Sequence, residues 1–469
     1  MSKVKITITE SNCRCGYLKK GDTFIALRGN TVDGHDYIEE AIKNGATKII
    51  AEKGKYSVET LIVPNTNEYL INYLKDNYSQ YFKDINFIGI TGTNGKTTTA
   101  FITSQILNNL GSKTAYIGTI GFYIDGEKIR DLPNTTPEIL TIYNLIFEAI
   151  DNGCKNIVME VSSHSLDLKR IEGINFNIGA FTNLTEDHLD YHKTMHNYLI
   201  SKIKILNHLK SDGIMITNVD DNYSKYFTNE KAKTIGIEKD ADYKVNKYVT
   251  NDLNTNISFI VNSKEYEVNV NLLNRFNVYN YMSALAIINN MGYKIEDIIK
   301  SSKDLTAPSG RNEVIKVNEA KAIIDYAHTP DAVLKVISAN REITKGKVIT
   351  IIGCGGDRDP FKRPIMGKTA TSLSDYVIFT NDNPRCENEE KIMNDIINGV
   401  SKDNYEIIFD RREAIKRGID MLIDGDTLLI LGKGHEDYQI IGREKIHLSD
   451  QEEVYKYLEN KNTKVLKLK

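Results

Sequence analysis

INFIGITGTNGKTTTAFITSQILNNL, Ile85 to Leu110, decides how the rest of the chain is read. It opens as a buried-looking β-type run, INFIGIT, and closes as an amphipathic helical run, TAFITSQILNNL, that Gly111 can terminate. Between them lies GTNGKTT, Gly92 to Thr98. Strand, glycine loop and helix start are the context a phosphate cradle needs. Gly92 and Gly95 let the N–H groups of Thr93, Asn94 and their neighbours turn toward a phosphate chain, and the helix N-terminus adds partial positive charge. Lys96 would neutralise phosphate oxygens, Thr97 would offer its hydroxyl to magnesium, and Thr98 would complete the helix start. A strict Walker A pattern would place glycine at position 90, where Ile90 stands, so this is a variant of the loop. Binding of a nucleoside triphosphate is the expectation.

On both sides of this stretch short apolar β-type runs alternate with amphipathic helices, the pattern of crossover units and mainly parallel sheets, so the fold class is α/β. At 469 residues the chain calls for about three domains. The expected division is 1–85, a small α/β unit with strands in FIALRG, KIIAE and LIVP and a helix near Asp36 to Asn44; 86–308, the phosphate-loop unit; and 309–469, a Rossmann-like unit. The third opens at the turn Ala307-Pro308-Ser309-Gly310 and carries KAIIDY, KVITIIG, YVIFTND and TLLILG as strands. Charged residues make up 26% and hydrophobic ones 41%, and the net charge of -3 is spread without a long run, so nucleic acid is not an implied partner. No apolar stretch reaches the ~18 to 20 residues that span a bilayer, and MSKVKITITE alternates like a strand, so a cytoplasmic location is expected, with no membrane partner. The five cysteines lack paired CxxC spacing and read as reduced thiols.

Two further stretches carry charge at the ends of strands. NIVMEVSSH puts Glu160 just past a strand, where open α/β sheets bind ligands and a carboxylate can hold magnesium against phosphates. NLTEDHLDYH ends the next strand with His188 in an acidic, aromatic loop. By itself that histidine is equally well a metal ligand or a satisfied loop residue.

GTNGKTT, EVSSH and TNLTEDHLDYH, spaced over about a hundred residues, resemble the Mur ligase family. The resemblance implies a three-domain, ATP-dependent amide ligase of peptidoglycan-precursor synthesis, acting as a monomer. It implies that Lys202, four residues past Tyr198, carries a carbamate formed with carbon dioxide that ligates a second magnesium ion, and that His188, like Thr97 and Glu160, is a metal ligand. It further places Asn280, in RFNVYNYMSALA, at the adenine; Arg311, in SGRNE, at the ATP phosphates; and Asp325 and His328, in DYAHTPDA, at the ribose and nearby. Ser-Gly-Arg stands where Pro-Gly-Arg is usual in the family.

For the nucleotide-sugar substrate the resemblance implies Ser11, Cys13 and Arg14 at the uridine end, with Cys13 where serine is usual. Asn134, Thr135, Thr136, Ser162 and Arg170 are implied at the muramoyl peptide. Independently of the family, NTTPE reads as a helix start with Thr136 as cap and Pro137 at the first position. DNPR, Asp382, Asn383, Pro384 and Arg385, matches the motif of the family's meso-diaminopimelate enzymes, which lysine-adding relatives lack. A planar guanidinium can clamp the extra carboxylate that distinguishes diaminopimelate from lysine. Arg358 supplies a second cation, and Gly432 and Glu436 in GKGHED complete the implied amino-acid site. The expected substrates are therefore a UDP-N-acetylmuramoyl dipeptide and meso-diaminopimelate. Alternatives are a Mur-type ligase with another acceptor, a folate polyglutamylating ligase, which DNPR argues against, and a nucleotide-binding module without catalysis.

Overall fold

The computed structural model describes residues 8–10, 20–29, 32–460 and 465–466, which form an α/β chain with three main sheets and one short hairpin. In the first sheet the strands Ile8–Glu10, Thr23–Ile25, Lys48–Ala51 and Glu59–Ile62 run parallel in sequence order. The helix expected near 36–44 is divided: a 3-10 turn, Gly34–Tyr37, leads into the helix Ile38–Lys43. Asp33 accepts the His35 backbone N–H at 3.0 Å and so tightens that turn.

Asn86–Thr91 sits inside an 11-stranded sheet, between Asn156–Glu160 and Phe176–Phe181. It is buried on both faces, with Phe87 in one apolar cluster and Ile88 and Ile90 in the other, which is why its sequence is continuously apolar. Pairing is parallel from Thr114–Gly118 to Tyr243–Thr250, and antiparallel strands extend both ends. Among these, Thr255–Val261 alternates buried and more open positions because only one of its faces is covered. The helix Lys96–Asn109 packs against Arg275–Asn290, with Ile102, Ile106, Leu285 and Ile288 in one core.

The topology determines the site. The consecutive strands Asn156–Glu160 and Phe176–Phe181 lie on opposite sides of the central strand, and the pairings Ile90 with Glu160 and Thr91 with Phe181 bring three strand ends to one edge. That edge is a switch point, where loops diverge and leave a crevice. In the third sheet Val348–Ile352 lies between Tyr376–Phe379 and Thr427–Leu431, with Ala320–Asp325 beyond, all parallel. Its loops diverge in the same way. No helix among the described residues is long and apolar enough to cross a membrane.

Candidate active site

The glycine loop has the geometry its sequence demands. Gly95 caps the helix Lys96–Asn109 at φ 88, and Gly92 has φ 146. A Cβ on Gly92 would lie 1.9 Å from the Thr182 hydroxyl, and one on Gly95 would lie 2.4 Å from Asn280 Oδ1. No side chain fits at either position. The loop is fixed from the neighbouring strand end: Thr93 N donates to Asn183 O at 2.8 Å, Asn94 N to Asn183 Oδ1 at 3.0 Å, and Thr182 Oγ1 to Asn94 O at 2.7 Å. Lys96 Nζ rests on the Gly92 and Thr93 carbonyls at 3.0 and 2.8 Å. Burial lowers its pKa, and Glu160 opposes that. Thr98 is buried at the helix start.

Glu160 is the last residue of its strand, not a residue past it, and is fully buried. Its Oε1 accepts from Tyr116 OH at 2.5 Å and Thr119 N at 2.8 Å, and its Oε2 from Thr97 Oγ1 at 2.9 Å and Thr119 Oγ1 at 3.1 Å. Both oxygens of this buried side chain are satisfied by hydrogen-bond donors. Thr97 and Glu160 thus present two adjacent hard oxygen donors, the ligand chemistry that magnesium takes.

Lys202 reaches the same place from the helix Met195–Ile203. Its ammonium nitrogen lies 2.7 Å from Gly92 O and 4.6 Å from the Tyr198 ring centre, and the residue is buried. Burial, and after it the Lys96 charge, hold its pKa well below the ordinary lysine value. The amine is therefore pushed toward its neutral, nucleophilic form. His188 adopts φ 54 at the start of the short helix Leu189–His192, and its Nε2 lies 3.4 Å from Asp187 Oδ2. The surrounding protein lowers its pKa to about 4 despite Asp187, which favours the neutral ring a metal ligand needs.

The third sheet reaches this loop. Asp331, in the first turn of Pro330–Ile343, accepts from Asn94 Nδ2 at 3.3 Å and Thr185 Oγ1 at 3.2 Å. Arg311 stacks over Tyr326, its Cζ 4.6 Å from the ring centre, and its buried Nε has no acceptor. Asp325 accepts from the backbone of Asn312 at 2.7 Å and of Ala327 at 2.8 Å, so it clamps the turn that carries Arg311. His328 Nδ1 lies 2.8 Å from Tyr326 O. Asn280 bonds Asn277 and Thr99 and presses on Gly95.

At the opposite mouth, Thr136 does not cap a helix. The helix begins at Ile139 with Glu138 as N-cap, because the Thr136 hydroxyl is already committed, donating to Glu160 O at 2.8 Å and accepting from Ser162 N at 3.1 Å. Thr135 Oγ1 is 3.0 Å from Thr119 Oγ1, and Asn134 is exposed. Arg170 donates to Thr136 O at 3.1 Å and pairs with Glu138, while its buried Nε is unpartnered. Ser162 caps the helix Ser163–Asp167. Ser11, Cys13 and Arg14 lie outside the described residues.

Three loops of the third sheet converge on the remaining expected residues. Asn383 donates to Glu436 Oε2 at 2.9 Å and accepts from Lys433 Nζ at 3.2 Å and Ile440 N at 3.0 Å. A Cβ on Gly432, which has φ 112, would come within 2.8 Å of Asp382 Oδ2. Pro384 is buried, its carbonyl closely facing Gly356. Arg385 has φ 54 and donates to Gly356 O at 2.8 Å, and Arg358 is exposed. Neither guanidinium has an ion-pair partner among the described residues. Behind them the buried pair Arg411–Asp450, bidentate at 2.7 Å, donates to Leu431 O at 3.0 Å, directly before Gly432. Tyr116, Thr119, Asp331, Lys433, His435 and Arg411 were not singled out from sequence. Lys433 and His435 lie inside GKGHED and Asp331 inside DYAHTPDA, so these three were within reach; Tyr116, Thr119 and Arg411 have no local signal, since only the fold brings them to the site.

Family models match along the chain: "Mur ligase family, catalytic domain" over 17–79, "Mur ligase middle domain" over 90–288 and "Mur ligase, glutamate ligase domain" over 310–434. Two relatives bear the name UDP-N-acetylmuramoyl-L-alanyl-D-glutamate--2,6-diaminopimelate ligase. The one from Aquifex aeolicus is 43% identical over 446 residues, 94% of this chain and 92% of the relative. The one from Bacillus cereus is 39% identical over 459 residues, 96% and 93%. A solved structure of a protein of that name superposes with a TM-score of 0.67 at 29% identity, covering 97% of this chain and 95% of the other.

Proposed function

The chain belongs to the Mur ligase family, and from that premise we propose that it joins meso-diaminopimelate to the D-glutamyl γ-carboxylate of UDP-N-acetylmuramoyl-L-alanyl-D-glutamate, converting ATP to ADP and phosphate. The units 1–85, 86–308 and 309–469 act as nucleotide-sugar, ATP and amino-acid domains. The single observation that carries the substrate assignment is the pair Arg358 and Arg385, two cations without carboxylate partners among the described residues, beside Asn383 and Glu436. A guanidinium is suited to the carboxylate that diaminopimelate has and lysine lacks, and Glu436 to the distal ammonium.

In this reading the γ-carboxylate attacks the terminal phosphorus of ATP, the ADP leaves, and the acyl phosphate is opened by the amine. Lys96 and Arg311 face the phosphates and offset the charge that develops there. Thr97 and Glu160 would hold a magnesium ion, and His188 and the Lys202 carbamate a second; bound there, the metals supply electrostatic stabilisation of the transferring phosphoryl group. The carbamate forms when the neutral Lys202 amine adds to carbon dioxide and releases a proton, a reaction that its lowered pKa favours. Asp331, bridging Asn94 and Thr185, ties the amino-acid domain to the glycine loop and helps exclude water from the acyl phosphate. Arg170 and Asn134 face the peptide.

The test is the amino-acid dependence of phosphate release. With ATP, magnesium, bicarbonate and the nucleotide-sugar dipeptide, meso-diaminopimelate supports turnover and L-lysine does not. Turnover with lysine alone would move the chain to the lysine-adding branch, and no phosphate release with any amino acid would leave the non-catalytic alternative.

A further inference from the structure

Glu160 has two oxygens to offer a cation, and the surrounding chain treats them differently. Oε1 accepts from Tyr116 OH at 2.5 Å and from Thr119 N at 2.8 Å. Neither donor can turn away: one is a backbone N–H, and the other is carried by a fully buried ring in the strand Thr114–Gly118. Phe101 and Tyr123 meet that ring edge-on, their centres 5.8 and 5.7 Å from it at 87° and 80°. The parallel pairing of Ile117 with Met159 sets Gly118 beside Glu160, where a Cβ would lie 2.3 Å from both Glu160 Oε1 and Tyr116 OH. Only glycine leaves room there for this hydrogen bond.

Oε2, by contrast, is held by two hydroxyls that can turn. Thr97 Oγ1, at 2.9 Å, keeps its lone pairs for a metal while its hydrogen stays on Oε2. Thr119 Oγ1, at 3.1 Å, has a second partner in Thr135 Oγ1 at 3.0 Å. One oxygen of the carboxylate can therefore be released to a cation, and the other is kept.

We infer that Tyr116 is a positioning residue that makes Glu160 a one-oxygen ligand and thereby favours magnesium over calcium at this site. The inference rests on the reading above that Thr97 and Glu160 hold magnesium. That ion demands a near-octahedral shell at about 2.0 to 2.1 Å, which the narrow bite of a two-oxygen carboxylate would distort. Calcium sits at about 2.3 to 2.6 Å with roughly six to eight ligands and readily takes both oxygens of one carboxylate. With Oε1 committed to Tyr116 and Thr119, the second oxygen is withheld from the larger ion. Loss of the Tyr116 hydroxyl leaves Oε1 with the Thr119 N–H alone, so that the carboxylate can rotate to offer both.

Metal binding to the ADP complex, read without catalysis, provides the test. Manganese is bound to the chain with ADP, the chain being in excess and bicarbonate absent so that no carbamate forms at Lys202. Its electron paramagnetic resonance signal then reports displacement by magnesium or by calcium. The calcium concentration that displaces half the manganese, divided by that of magnesium, is compared between the unaltered chain and Tyr116→Phe, which keeps the ring and loses only the hydroxyl. The expected result is a fall in that ratio of about 10-fold. Tyr123→Phe, which removes a hydroxyl from the same aromatic group but none of the donors to Glu160, should leave the ratio as it was. An unchanged ratio in Tyr116→Phe overturns the inference even if both metals bind more weakly, and so does an equal fall in Tyr123→Phe. Should the Tyr116 variant melt early, Gly118→Ala displaces the same hydrogen bond and must lower the ratio, and an unchanged ratio there is equally fatal. An unaltered chain that binds no manganese with ADP refutes the metal reading itself, and the inference with it.

Discussion

The glycine-loop corner and the amino-acid corner are both built at the carboxyl ends of parallel strands, yet they treat their charges in opposite ways. At the first, Glu160 is enclosed by Tyr116, Thr119 and Thr97, and Lys96 and Lys202 lie on loop carbonyls. At the second, Arg385 donates only to backbone carbonyls and Arg358 is exposed. A corner that must stabilise a phosphoryl transition state is preorganised, so that little reorganisation is left for the moment of reaction. A corner that selects an amino acid keeps cations open for an anion that only the correct substrate brings.

The comparison breaks most sharply at Lys202. Lys202→Ala should lower turnover on the order of 1,000-fold, since it removes the proposed carbamate ligand and leaves the Gly92 carbonyl with Lys96 as its one remaining side-chain donor among the described residues. Acetate or another short carboxylic acid should restore part of the phosphate release, which steady-state assays with and without the acid measure. If the alanine variant turns over like the unaltered chain, Lys202 is only a structural residue.

A smaller effect, of a different kind, is expected at the other corner. Arg385→Ala should raise KM for meso-diaminopimelate about 10- to 100-fold, the equivalent of one charge-assisted contact, while KM for ATP stays as it was. A parallel rise in both constants would mean that Arg385 braces the fold through Gly356 O rather than reading the substrate.

The two corners also differ in how legible they were. GTNGKTT could be assigned from order alone, because a glycine at φ 88 followed by lysine at a helix start is a local requirement. The division into parallel units was legible for the same reason, through apolar runs such as Asn86–Thr91 and Thr427–Leu431 that are buried on both faces. The shell around Glu160 was not: Tyr116 and Thr119 lie on another strand and its loop, over forty residues away, and nothing local marks them. Thr136 misled in the same way, since its cap-like spacing before Pro137 says nothing of the Glu160 carbonyl that takes its hydroxyl. The antiparallel strands beyond Tyr243 were missed because a solvated edge weakens the apolar signal to alternation.

The mildest way to sharpen the comparison concerns the frame behind the amino-acid corner. Arg363 is fully buried, pairs with Glu387 at 2.6 Å and Asp395 at 2.8 Å, and donates to Gly355 O at 3.1 Å, so it holds the loop that faces Arg385. Its hydrogen bond, before any other influence, lowers the Glu387 pKa from 4.5 to about 2. The unfolded chain takes up a proton at this carboxyl near pH 4.5 while the folded chain does not until about pH 2, so the pair's contribution is complete above that window and fades as pH falls through it. Stability of the unaltered chain minus that of Glu387→Gln, measured by denaturant unfolding, should be constant above pH 5 and shrink below it, by at most about 1.4 kcal/mol per pH unit for one proton. A difference that persists undiminished to pH 2.5 would show that the neutral side chain packs as well as the ionised one, and that Arg363 holds Gly355 through Asp395 instead.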